Sequence, residues 1–68
     1  MVGFEEQYCK VLLGELEVDE HTKARAFNYC TQQYRGMKPI VDGFPSLKGD
    51  YDKYRIALIT HNIRSKSI

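Results

Sequence analysis

The sequence contains no apolar run approaching the roughly 18 residues that a membrane-spanning helix needs. Its first residues, Met1-Val2-Gly3-Phe4-Glu5-Glu6, lack the basic stretch that opens a secretory signal, and Gly3 does not follow Met1 as a myristoylation pattern requires. These absences predict an intracellular, cytoplasmic chain. Cysteine is scarce: Cys9 and Cys30 are the only two. In a reducing compartment they are expected as free thiols, buried as small hydrophobes, rather than as a disulfide. Glycine and proline are sparse as well, at five and two residues, and 43% of the chain is hydrophobic. That balance excludes a disordered chain, which needs low hydrophobicity and high net charge.

Motifs that carry chemistry are missing too. No nucleophile elbow, no phosphate-cradling G-x-x-x-x-G-K and no H-E-x-x-H occurs, so no enzyme is expected. The two cysteines and the two histidines, His21 and His61, have none of the paired spacing of a structural zinc site. Asp19, Glu20 and His21 are explained as a helix cap and a solvated first turn. Neither metal nor cofactor is expected.

What is present reads as three helices in one small domain spanning residues 1–68. Phe4, Tyr8, Cys9, Leu12, Leu13 and Leu16 recur at three- and four-residue spacing, which predicts an amphipathic helix from about Phe4 to Leu16. Gly14 lies inside that pattern and marks a candidate early end. Asp19 is a suitable N-cap for a second helix over Glu20–Arg35, with Phe27, Cys30, Tyr34, Ala24 and Ala26 as its apolar stripe. Gly36 fits the left-handed position past its end, and Pro39 bars continuation. With only Glu17 and Val18 between them, the two helices are expected to form an antiparallel hairpin.

Residues 36–49 then read as a long loop around the Asp42-Gly43 turn. Its Ile40, Val41, Phe44 and Leu47 are too apolar for a free loop. They are expected across the hairpin as core, with an anchor for a partner as the functional alternative. From Asp50 to Ser65 the pattern is ambiguous. Tyr51, Tyr54, Leu58, Ile59 and Ile63 fit a helical face, yet Ile56, Ile59, Thr60 and Ile63 are β-branched and a short strand over 54–59 is the alternative. Acids at the start and Arg64 and Lys66 at the end favour the helix. The expected fold is therefore mainly α, a helical hairpin closed by a third helix.

Charge is unevenly distributed. Residues 1–20 carry Glu5, Glu6, Glu15, Glu17, Asp19 and Glu20 against Lys10, whereas residues 21–38 carry Lys23, Arg25, Arg35 and Lys38 and no acid. Two function classes follow. A non-catalytic protein-interaction module, such as an accessory subunit, adaptor or small inhibitor of a larger protein, would use Tyr34, Met37, Ile40, Val41, Phe44, Tyr51 and Tyr54, since tyrosine and exposed apolar anchors dominate binding surfaces. A small nucleic-acid-binding regulator would instead use Lys23, Arg25, Arg35, Lys38, Arg55 and Arg64 along the phosphate backbone. A homo-oligomer is compatible with either, and no membrane partner is expected.

Overall fold

The computed structural model describes residues 4–66 and is mainly α, with no strand among the described residues. Three helices, α1 (Phe4–Leu13), α2 (Glu20–Met37) and α3 (Lys48–Lys66), each pack against the other two. The strand alternative for 54–59 is thereby replaced by helix, whose acidic Asp50 and terminal Arg64 and Lys66 complement the helix dipole.

The boundaries differ from the sequence reading at glycines. α1 stops at Leu13 because Gly14 adopts φ +85, a left-handed turn open to glycine at little cost. Its N–H donates back to the Val11 carbonyl at 3.1 Å and that of Glu15 to the Lys10 carbonyl at 2.9 Å, closing the helix. Leu16 consequently leaves the helix and is 41% exposed, and the inter-helix segment is longer than the two residues expected. At Gly36 the difference runs the other way. The helix continues through it to Met37, and Lys38, in right-handed conformation, donates its N–H to the Tyr34 carbonyl at 3.0 Å. Pro39 is the true stop, since its ring and missing N–H cannot extend the ladder.

Asp19 caps α2 as its side chain implies, accepting the Thr22 N–H at 2.9 Å. Hydrogen bonds from Thr22 hold the Asp19 carboxyl below the usual carboxylate range. Between α2 and α3 the chain makes two short 3₁₀ turns, Val41–Gly43 and Pro45–Leu47, rather than one open loop.

The core is thin and built from small groups. Cys9, Val11 and Leu12 of α1 meet Ala26 and Cys30 of α2 and Tyr54 and Ala57 of α3. Tyr8, Leu13, Val18, Tyr29, Tyr34, Met37 and Leu58 pack around it. Alanine and cysteine at the centre let three helices approach closely, but they bury little apolar area each. The molecule is correspondingly flat, 37 × 31 × 16 Å, with a radius of gyration of 12.2 Å. A compact domain of this length would have a radius near 11 Å. Cys9 and Cys30 are buried thiols that are not joined in a disulfide.

Candidate functional site: an uncovered apolar face on the second and third helices

Several large apolar residues, among them Phe27, Ile59 and Ile63 of the expected apolar faces, lie outside the core. Phe27 of α2 is 40% exposed, and Ile56, Ile59 and Ile63 of α3 are 51%, 48% and 63% exposed. The reason is angular. At 3.6 residues per turn, Ile56, Ile59 and Ile63 fall within an arc of about 60° on α3, roughly opposite the buried Tyr54. Tyr51, Tyr54, Ala57 and Leu58 supply the inward face of that helix. α3 thus carries a second apolar stripe, which the described residues leave about half uncovered or more.

Beside this stripe, α2 and α3 enclose a groove of about 560 Å³ floored by Phe27, Leu58 and Ile59, with Tyr34, Arg35 and Arg55 along its wall. Within the groove wall, the Thr31 Oγ1 is buried without a hydrogen-bond partner among the described residues. Arg55 approaches Asp52 on the preceding turn at 3.7 Å, a solvent-exposed pair of small energetic value.

The expected partner-binding residues divide into three groups. Tyr34 and Tyr51 come together: the rings stack with centroids 5.1 Å apart, and both are half-buried. Ile40 and Phe44 are 45% and 56% exposed on the 3₁₀ turns, and Val41 is half-buried, so the segment does not lie across the hairpin as core. The cause is its tight 3₁₀ geometry, which keeps these side chains out of a centre already filled by Cys9, Cys30 and Ala57. Met37 packs on the edge of the core. Tyr54 is a core residue, 4% exposed, and presents almost no surface to a partner.

The basic residues are spread over the molecule. Lys23 and Arg64 line a cleft of about 510 Å³ with Glu20, Phe27 and His61, Arg35 and Arg55 line the apolar groove, and Lys38 lies in a third hollow with Val41, Asp42 and Asp52. Arg25 is engaged with His21, Nη2 to Nε2 at 3.3 Å. In the first cleft the His61 ring packs on Phe27, centroids 5.2 Å apart, and burial followed by the nearby Lys23 and Arg64 charges holds its pKa below the ordinary histidine value. Among the described residues no group of three or more histidine, cysteine or acidic side chains is placed to hold a metal ion. No described helix is long and apolar enough to cross a membrane.

The isoleucine stripe is hidden in the sequence pattern because Ile59 and Ile63 also fit, by spacing, the face of Tyr51 and Tyr54. The signal was available: the four-three spacing of 56, 59 and 63 forms a second apolar series offset from 51, 54 and 58. No protein-family model matches the chain, and no curated protein or solved structure matches it either.

Proposed function

We propose that this chain is a non-catalytic protein-interaction module whose contact surface is the outer face of α3 with the adjoining α2–α3 groove. The observation that carries this reading is the row Ile56, Ile59 and Ile63, each about half exposed or more, continued by Phe27 across the groove. Single exposed apolar residues are ordinary, but a contiguous row rimmed by polar groups marks an interaction site. The small core gives the same direction, since burial on a partner would add apolar area that the isolated fold lacks.

Affinity capture with the full tagged chain, compared with the Ile56→Ser/Ile63→Ser variant, tests the reading. Lysate is split into nuclease-treated and untreated halves. A stoichiometric protein that survives nuclease and is lost with the variant supports the contact surface. Recovery that ignores the variant but disappears with nuclease and with Arg35→Ala would replace it with the nucleic-acid reading. Because both substituted isoleucines are largely exposed, the variant should keep its helices and, at protein concentrations where the parent is monomeric, unfold at close to the same urea concentration.

A further inference from the structure

We propose that the face is covered by a second copy of this chain, α3 against α3 in antiparallel orientation about a two-fold axis near Ile59. The proposal rests on the contact-surface reading above and names its occupant.

Asp52, Ile56, Ile59, Ile63 and Lys66 follow one another at intervals of four, three, four and three residues, so they form a continuous seam along one side of α3. The three central positions are β-branched, apolar and exposed, and the two ends carry opposite charge. Asp52 and Lys66 stand seven residues on either side of Ile59. A two-fold axis through the middle of the seam therefore lays each Asp52 beside the Lys66 of the second copy, twice per dimer, while isoleucine packs on isoleucine between them. Such an isologous contact is self-complementary and closes at two subunits.

Orientation follows from the same residues. A parallel pairing would set Asp52 on Asp52 and Lys66 on Lys66, like charges at both ends of a desolvated seam. The residues flanking the seam raise no objection to the antiparallel arrangement: Arg55 and Asn62 fall on one side, Lys53 and Thr60 on the other, and the symmetry places Arg55 by Asn62 or the Ile63 side chain rather than by another cation. Asp52 is already near Arg55 at 3.7 Å, and a carboxylate has acceptor capacity for a second cation. Phe27, across the groove from Ile59, extends the apolar patch beyond the seam on each subunit.

Sedimentation of the full chain over a concentration series gives the test. The parent is expected to pass from monomer to dimer below about 0.5 mM, the range of a modest helical interface. Asp52→Lys and Lys66→Asp are each expected to weaken the dimer about tenfold, because each turns two attractive contacts into two repulsive ones. The Asp52→Lys/Lys66→Asp double variant restores attraction with the signs reversed and should return to within about threefold of the parent. An equimolar mixture of the two single variants should associate more tightly than either alone. Both residues are at least partly exposed, so far-ultraviolet circular dichroism should show the helices intact throughout.

A chain that stays monomeric over the whole series overturns the proposal, as does a double variant no tighter than its parents. If that monomer still captures another protein and loses it with Ile59→Asp, the contact surface stands and only its occupant is wrong. If neither self-association nor capture responds to Ile59→Asp, both readings fall.

Discussion

The Tyr51 hydroxyl donates to the Tyr34 hydroxyl at 3.4 Å, across rings whose planes lie 14° apart. The contact fastens the last turns of α2 to the first turn of α3, at the end where the two 3₁₀ turns join them. It depends on Tyr51 keeping its proton. The hydrogen bond to Tyr34, followed by burial, raises the Tyr51 pKa above its ordinary value.

A raised pKa on an acid favours the protonated form in the folded state, so this contribution to stability is complete below the unfolded tyrosine pKa of about 10 and declines as pH rises through the folded value. Tyrosinate absorbance should therefore show one residue titrating late. In Tyr34→Phe the late phase should move back toward the ordinary range while the helical signal is unchanged. A late phase that persists in Tyr34→Phe would show that Tyr34 is not its cause.

Gly14 should be costly to replace because of its backbone. Its φ of +85 strains any side chain, whereas the Arg64 guanidinium that a Cβ would meet is the far end of a flexible side chain and can swing aside. Gly14→Ala is expected to cost about 1 kcal/mol in urea unfolding, nearly all of it backbone strain. Adding Arg64→Ala should leave that loss unchanged relative to Arg64→Ala alone. Full recovery in the double variant would show that the side-chain collision, not the dihedral, sets the cost.

How far the sequence disclosed this fold can be judged from the same residues. The N-cap at Asp19 was legible because capping needs only a side-chain oxygen and a local amide three residues on. The helical state of residues 50–65 was legible from its charge order, against the pull of the β-branched residues, though α3 begins two residues earlier, at Lys48. The two glycines were harder. Gly14 and Gly36 are chemically identical, and which of them turns left-handed is settled by what the chain must do next: α1 has to reverse within a few residues, whereas α2 runs on until Pro39. The candidate surface was least legible. Apolar periodicity reports that a helix has an apolar face, not how many neighbours are available to cover it, and a short chain with two apolar faces on one helix runs out of neighbours.

Thr31 offers a stabilising substitution. Its Oγ1 is buried without a hydrogen-bond partner among the described residues, so the fold bears the desolvation of a hydroxyl that they do not compensate. Thr31→Val keeps the shape and replaces that hydroxyl by a methyl group. Urea denaturation should show a gain of about 1 kcal/mol, since threonine and valine differ little in helix propensity. A loss of similar size would mean that the hydroxyl has an internal partner in solution, the carbonyl one turn back in α2 being the obvious acceptor.

The two thiols provide a probe of the thin core. Cys9 and Cys30 are 4% and 0% exposed, and burial, reinforced by the neighbouring Cys9 thiol, pushes the Cys30 pKa up to about 12. The reactive species is the thiolate, and at neutral pH Cys30 supplies almost none of it. Access is closed as well, because α1, α2 and α3 all contribute to the packing around the pair. Disulfide reagents should accordingly label neither cysteine in native buffer except through opening of the fold. For a small domain of roughly 3 kcal/mol stability that opening slows labelling about a hundredfold relative to the unfolded chain. Both cysteines should become reactive together across a urea series, with a midpoint that coincides with loss of the helical signal, because no single helix can depart without exposing the contacts of the other two. Stoichiometric labelling of one thiol in native buffer, with the helices intact, would mean that the core opens locally at that cysteine. Should the dimer form through α3, raising protein concentration will slow labelling further, since association stabilises the closed state by mass action and leaves the thiols themselves untouched.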